Sequence, residues 1–290
     1  MQERLSLPPI GIAGFLVAIG ALVAFRLLGV YPWDEYVFDL HAYWITREGL
    51  DYTNHTAGPA GVYLYSPAFA YAIRPLTILP LPVFGAIWTA IGAALLVWLV
   101  GRRALLLAFI PPVLITLVQG QLDLVFALVA VIGLRWPVAW ALPLLTKVTP
   151  GIGVAWFLFR REWRSLAIAL GVTAAIGLAS LIPDPNAWSG WIALLIRTQG
   201  GPTPDPNLVY IPIPLLVRVP FALAVVAWGA RTNRQWALPV AMNLAAPIMW
   251  MNTFTILLAI LPMLPAGADS PAGRWLRRAR GSAPAAASAT

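Results

Sequence analysis

The chain contains no cysteine and few charged residues. Each of these scarcities excludes certain kinds of site or classes of protein. Without cysteine, disulfide frameworks and thiolate metal sites are excluded. Two histidines, His41 and His55, are too few and too far apart to indicate a metal centre. Charged residues make up only 10% of the sequence and hydrophobic residues 60%, a balance typical of a membrane protein rather than a soluble domain.

Several long stretches of the chain carry no charged residue. Those long enough to approach a bilayer crossing are residues 11–25, 75–101, 104–122, 165–183 and 235–268. We expect the first to be a retained span, because no clear small-residue cleavage site precedes Tyr31. The pattern predicts an all-α integral membrane protein, since helices satisfy their own backbone hydrogen bonds in lipid.

The arginines predict which segments face the cytoplasmic side of the membrane. The net charge is +8, but the arginines lie in short clusters between apolar segments, which indicates membrane orientation rather than nucleic-acid binding. If every cluster is cytoplasmic, the chain is a polytopic helical bundle with about ten crossings, several of them short or broken. Residues 62–82 are expected to be re-entrant or interfacial. Residues 1–264 form the membrane domain, and residues 265–290 a basic, disordered cytoplasmic tail.

The acidic residues concentrate in the first loop predicted to lie outside, residues 31–61. Five of the eleven acids of the chain are in this loop: Asp34, Glu35, Asp39, Glu48 and Asp51. Titratable groups gathered in one loop of a membrane protein indicate chemistry there. The same topology places further polar residues on that side, namely Gln121, Asp123, Lys147, Asp184, Asp205 and Asn252.

Asp39, Lys147 and Asp123 are the sharpest candidates. Asp39 and Tyr43 are i,i+4 neighbours on a helix, and a carboxylate beside a phenol suits recognition of sugar hydroxyls and proton abstraction. Lys147, the single lysine, either places its stem along the membrane interface or provides a charge for phosphate, helped by a helix beginning at Pro150. Asp123 is either a structural partner of a cation or a substrate ligand.

A series of short motifs along the chain resembles those of a known protein family. In chain order they are Asp39-Leu-His-Ala-Tyr43, Tyr65-Ser-Pro-Ala-Phe69, Pro75-Leu-Thr-Ile-Leu-Pro80, Gly120-Gln-Leu-Asp123, Thr146-Lys-Val-Thr-Pro150, Arg160-Arg-Glu-Trp163 and Ala246-Pro-Ile-Met-Trp250. Their order and spacing resemble the polyprenol-phosphate-sugar-dependent glycosyltransferases of the GT-C superfamily, in particular glycosyltransferase family 87. The resemblance runs from about residue 31 to residue 264.

The resemblance implies a multi-pass plasma-membrane enzyme whose site faces the extracytoplasmic side. Its donor would be a sugar, mannose above all, on a polyprenyl phosphate, and its acceptor a glycolipid or cell-envelope glycan. Transfer would invert the sugar without metal or cofactor, with Asp39 as the base and Lys147 facing the lipid phosphate. The residues expected to bind substrate are His41, Tyr43, Tyr65, Gln121, Asp123, Trp250 and Asn252.

Two other functions stay open at this point. A transporter or lipid-phosphate flippase would use Asp123 and Lys147 as a pair within the membrane, and a non-catalytic partner of an envelope-synthesis complex would need neither residue. The position of Asp39 discriminates between sugar transfer and transport. Transfer chemistry is favoured if Asp39 shares a site with Lys147, and transport is favoured if Asp39 is remote from an Asp123–Lys147 pair.

Overall fold

The structure, a computed structural model, describes residues 16, 17, 19–24, 38–53, 61–198 and 210–281. Residues 16, 17 and 19–24 are helical. The labelled helices of the first half are α1 (Phe38–Ile45), α2 (Pro67–Thr77), α3 (Leu81–Val100), α4 (Ala104–Leu107), α5 (Pro111–Gln119), α6 (Asp123–Ile132) and α7 (Ala141–Thr146). Those of the second half are α8 (Ala155–Arg160), α9 (Trp163–Leu181), α10 (Pro185–Arg197), α11 (Leu215–Thr232), α12 (Ala237–Leu244), α13 (Ile260–Met263) and α14 (Pro271–Gly281).

Short elements connect these helices. The 3₁₀ turns are Thr46–Glu48, Gly101–Arg103, Pro137–Trp140, Thr149–Val154, Met251–Ala259 and Pro265–Gly267. Two short strands, β1 (Tyr210–Ile211) and β2 (Met249–Trp250), pair antiparallel, with Tyr210 opposite Trp250. The regular secondary structure of the described residues is therefore helical apart from this small ribbon, which agrees with the predicted all-α class.

Three helices are long and apolar enough to cross a membrane. They are α3 continued through α4 (Leu81–Leu107), α9 and α11, and a bent pair of α5 and α6 brings the number to four if it counts as one span. The arginine clusters predicted about ten crossings, and the described residues do not show that number. Most of the remaining predicted crossings are short helices packed against their neighbours, and the first one, residues 10–30, lies largely outside the described residues.

The bend between α5 and α6 positions the site. The two helices meet at 107°. Gly120 ends α5 with a left-handed backbone (φ 74°), and a Cβ on Gly120 would lie 2.4 Å from Cγ of Leu40 in α1. Only glycine fits a position that demands both this φ and so close a neighbour. Nε1 of Trp88 in α3 donates to the Gly120 carbonyl at 2.8 Å, which fixes the bend against the first long span.

The uncharged stretch 235–268 does not form a continuous span. It is divided into α12, β2, the 3₁₀ turn Met251–Ala259 and α13. Arg218 of α11, which is 5% exposed, donates to the carbonyl oxygens of Leu244, Ala246 and Pro247, which supplies partners for the backbone groups released where α12 ends. Because of this break, the side chain of Asn252 lies in the interior of the protein.

Part of the C-terminal tail, which the sequence predicted to be disordered, forms helix α14 at residues 271–281. Helix α14 packs on α3, with Ala272 fully buried and Leu276 9% exposed. The segment was predicted to be disordered because it is rich in small and basic residues. Its apolar residues are nevertheless three to four positions apart, the spacing of one helix face. Residues 282–290 lie outside the described residues.

Candidate active site

Asp39 lies in the first turn of α1, one helical turn before Tyr43. Tyr43, which is fully buried, donates its hydroxyl to Oδ2 of Asp39 at 3.4 Å, and Tyr65 donates to the same oxygen at 2.9 Å. Tyr65 precedes α2 and is itself held by the hydroxyl of Tyr52, which donates to the Tyr65 carbonyl at 2.8 Å. Among the described residues no hydrogen bond reaches Oδ1 of Asp39, so that oxygen is left to accept a proton from a ligand.

Burial sets the electrostatics of this carboxyl group. It raises the pKa of Asp39 above its ordinary 3.8, and the charge of Lys147 and the hydrogen bond from Tyr65 oppose that rise. Burial first, and then the charge of Asp39, raise the pKa of Tyr65 and Tyr43 well above 10.0. Both phenols therefore stay protonated at neutral pH and act as fixed donors to the carboxylate.

Lys147 follows the last residue of α7 and is held by an unusual turn. The Thr149 amide donates to the Lys147 carbonyl at 2.7 Å across Val148, whose φ of 55° and ψ of −66° define a classic γ-turn. A β-branched residue rarely adopts this conformation, which is strained and persists where surrounding contacts impose it. The Ser66 hydroxyl, at the start of α2, donates to the Leu145 carbonyl and so joins the turn to the Tyr65 segment.

The Lys147 ammonium group is only loosely held. Its Nζ lies 3.4 Å from Oε1 of Gln121 and 3.9 Å from Oδ1 of Asp123, and 6.0 Å from the ring centre of Tyr65. The side chain is 16% exposed. An ammonium group carries three donors, and contacts at these distances are weak. The cation can therefore accept a closer anionic ligand without losing a strong bond.

Asp123 provides a buried carboxylate on the other side of Lys147. The residue is fully buried at the start of α6, and Nδ2 of Asn252 donates to its Oδ2 at 2.6 Å. Within the described part of the chain, its Oδ1 has no hydrogen-bond partner. The Thr116 hydroxyl of α5 lies 3.4 Å from the Asn252 carbonyl, which ties the 3₁₀ turn to the bend. A buried oxygen without a hydrogen-bond partner is costly and marks a position that a ligand donor can fill.

Most of the residues predicted to form the site are brought together. The contacts described above join Asp39, Tyr43, Tyr65, Gln121, Asp123, Lys147 and Asn252. His41 and Trp250 are not shown to join them. His41 is exposed, with its ring 6.3 Å from that of Trp44, and Trp250 packs on Tyr210 at 5.3 Å across the β-ribbon.

Sequence reasoning assigned no role to two residues that shape this site. Ser66 is the N-cap of α2 and donates to Leu145 beside Lys147. Its Ser-Pro pair is a helix-start signal that could have identified it as a cap. Phe126 lies three residues after Asp123 on one face of α6, and its ring centre is 5.7 Å from Nζ of Lys147. Nothing in the sequence pattern singled out Phe126 from the apolar residues around it.

An apolar groove begins at Gln121. It is an open groove of about 60 Å³ between α3 and the α5–α6 pair, and its apolar lining includes Trp88, Leu95, Leu117 and Leu124. The Gln121 side chain that contacts Lys147 also lines this groove, so the groove and the polar cluster are continuous. Ile91, a further lining residue, is 44% exposed on the long span α3.

The described residues hold no group of three or more histidine, cysteine, aspartate or glutamate side chains arranged to bind a metal ion. The charges of the cluster are two carboxylates and one ammonium group, from Asp39, Asp123 and Lys147.

Comparison with known proteins identifies one family. The model of glycosyltransferase family 87 matches residues 63–259 and so confirms the resemblance seen in the motifs. Tyr65, Gln121, Asp123, Lys147 and Asn252 fall within the match, and Asp39 precedes it. No curated protein and no solved structure matches the chain significantly.

Proposed function

The chain belongs to glycosyltransferase family 87 and is a membrane glycosyltransferase, and from that premise we propose that it transfers mannose from a polyprenyl phosphate, with Asp39 as the base. The acceptor is a glycolipid or a cell-envelope glycan, and the site faces the extracytoplasmic side of the plasma membrane. The family supports sugar transfer, and the side chains described above support the roles of individual residues.

One observation carries the proposal. Asp39 and Lys147 flank the same side chain, because the Tyr65 hydroxyl binds the carboxylate at 2.9 Å while its ring centre lies 6.0 Å from the ammonium nitrogen. Displacement at a sugar carbon needs a base for the incoming hydroxyl and a cation for the departing phosphate, some distance apart. A base and a cation separated by one aromatic ring meet that requirement.

The proposed reaction is a single displacement. Asp39 accepts the proton of the acceptor hydroxyl, whose oxygen forms a bond to the anomeric carbon as the bond from that carbon to the phosphate oxygen breaks. The polyprenyl phosphate departs with the electron pair, and Lys147 stabilises its charge. A phosphate is a good leaving group, so no general acid is required. Attack opposite the leaving group inverts the anomeric configuration.

The apolar groove supports a lipid-linked donor. It begins at Gln121, beside the proposed phosphate ligand Lys147, and it reaches the exposed Ile91 on the long span α3. A donor with its phosphate at Lys147 can therefore direct an isoprenoid chain along apolar side chains toward the bilayer. Such a chain is apolar, and the groove lets it stay in apolar surroundings between the bilayer and the site.

The Asp123–Lys147 pair is the one feature that would suit a transporter. A transporter using this pair would leave Asp39 remote from it. Asp39 is instead close enough that the charges of both Lys147 and Asp123 act on its carboxyl group. This proximity favours transfer chemistry.

The first experiment is a transfer assay with Asp39→Asn. Purified protein is given radiolabelled polyprenyl-phosphate-mannose and a pool of glycolipid and glycan acceptors. We expect turnover to fall on the order of 10²–10⁴-fold in the variant, the usual loss when a general base is removed. Unchanged thermal unfolding serves as the control for folding. A near-normal rate would remove Asp39 from the mechanism.

A second variant separates donor binding from chemistry. We expect Lys147→Ala to raise the KM for the polyprenyl-phosphate donor more than it lowers kcat at saturating donor, because the lysine holds the phosphate before and after displacement. Lys147→Arg is the matched variant that keeps the charge. Donor KM unchanged in Lys147→Ala would return this residue to the interfacial role considered from the sequence.

A further inference from the structure

Helix α14 attaches to the end of the first long span. Trp275 of α14 packs between Trp98 at 6.5 Å and Trp136 at 5.9 Å between ring centres. Ser270, just before the helix, lies so close to Gly101 that a Cβ on this glycine would be 3.3 Å from the Ser270 Cα. With Ala272 and Leu276 buried, the apolar face of α14 is fully used against the protein. Its basic face is therefore held in a fixed position.

Exposed arginines gather on this end of the molecule. They are Arg102, Arg103, Arg135, Arg274, Arg277 and Arg278, and we call them the arginine surface. Arg135 stacks over the Trp275 ring at 5.7 Å, which joins the end of α6 to α14. Arg274 and Arg277 donate to the backbone carbonyls of Asp269 and Ala268. The acidic residue of the described segment 268–281 is Asp269, so the arginine surface is strongly cationic.

The length of the first span places this surface at headgroup depth. Helix α3 (Leu81–Val100) comprises 20 residues, which at about 1.5 Å per residue extend roughly 30 Å, the thickness of the hydrocarbon core, before the chain turns at Gly101–Arg103. The far end of this segment, with Arg102 and Arg103, therefore emerges among lipid headgroups. Large apolar side chains nearby are also exposed, with Leu106 at 67% and Trp136 at 53%.

We propose that the arginine surface binds the phosphate groups of anionic phospholipids in the leaflet on this face of the membrane. Guanidinium groups form paired hydrogen bonds with phosphate, and tryptophan favours the interface between headgroup and acyl chain. A phospholipid meets both requirements at once, since its phosphate contacts arginine and its glycerol and upper acyl chain contact Trp136 and Leu106. Because α14 is docked, its arginines are attached to a fixed helix, and binding costs little further ordering.

The test compares two matched pairs of arginines in the full-length protein. One variant carries Arg274→Gln and Arg277→Gln in α14. The control carries Arg231→Gln and Arg234→Gln at the end of α11, where the arginines are also exposed and Arg234 stacks over Trp228 at 5.5 Å. Delipidated protein in detergent is mixed with palmitoyl-oleoyl phosphatidylglycerol or phosphatidylcholine, and retained lipid is counted by native mass spectrometry.

We expect wild type to retain phosphatidylglycerol in preference to phosphatidylcholine, and the α14 variant to lose that preference by roughly fivefold for each arginine removed. The α11 control should keep it. A variant with Arg274→Lys and Arg277→Lys, which retains the charge, should keep most of it, and its unfolding temperature checks that α14 stays docked. No preference in wild type, or equal losses in the α14 and α11 variants, would overturn the proposal.

Discussion

At the scale of single residues, helical spacing predicted the contact between Asp39 and Tyr43. The contact between Asp39 and Tyr65 could not be predicted from any local pattern. Asp39 and Tyr43 are four residues apart, and helical periodicity alone places them together. Tyr65 binds the same carboxylate from 26 residues away, and no local pattern encodes that contact. Its place on the list of candidates came from a motif, and its hydrogen bond depends on how α2 packs on α1.

The raised pKa of Asp39 predicts a pH dependence of defined sign. A base acts in its ionised form, so kcat/KM should rise with pH through a pKa above the ordinary 3.8 of aspartate. In Asp39→Asn this rise should be absent. Steady-state kinetics across the acidic and neutral range measure both, and a wild-type profile flat across this range would contradict the raised pKa.

The same group should also affect stability. Because its pKa is higher in the folded protein than in the unfolded chain, folding favours the protonated form. That contribution is fully present below the unfolded pKa and is lost as the pH rises through the folded pKa. Thermal unfolding of wild type against Asp39→Asn should therefore show wild type losing stability relative to the variant as the pH rises.

At the scale of elements, the bend between α5 and α6 was predicted as a break but not as an angle. The polar residues between the two apolar runs indicated where the helix stops. The 107° angle depends on contacts from elsewhere in the chain, the Trp88 hydrogen bond and the packing of Leu40 on Gly120. Both partners belong to other helices, so the sequence around residue 120 does not contain the information.

Two glycine substitutions test this bend. Gly120→Ala should destabilise the protein by more than 1 kcal/mol, because its positive φ and the nearby Leu40 both oppose a Cβ. Gly171→Ala in α9 is the matched control. A Cβ there meets nothing within 4 Å, and alanine favours a helix by about 0.5–1 kcal/mol over glycine. Thermal unfolding in detergent should separate the two. Equal effects would mean that Gly120 does not hold the bend.

At the scale of the whole molecule, the predicted all-α class agrees with the structure. The predicted topology has about ten crossings, whereas the described residues contain three or four helices able to cross a membrane. Assigning every arginine cluster to one side forced many short crossings between them. The structure shows that short helices such as α7 and α8 pack within the protein, where tertiary contacts supply what a full span would need. Charge patterns report which side a segment faces, but they do not report whether it crosses.

The orientation can be measured directly because the chain has no cysteine. We expect Thr53→Cys, an exposed position near the site, to react with a membrane-impermeant maleimide on intact cells. Asp269→Cys, an exposed position beside α14, should react only after permeabilisation. The parent protein provides a background without label. The opposite pattern would invert the topology and place the proposed chemistry in the cytoplasm.

The candidate site draws on segments far apart along the chain, from Asp39 in α1 to Asn252 in the 3₁₀ turn Met251–Ala259. During synthesis Asp39 emerges first, Lys147 near the middle, and Asn252, the partner of Asp123, only when most of the chain has left the ribosome. A nascent or prematurely terminated chain would therefore present an incomplete site. At the proposed site, sugar transfer thus becomes possible only after membrane insertion is nearly finished.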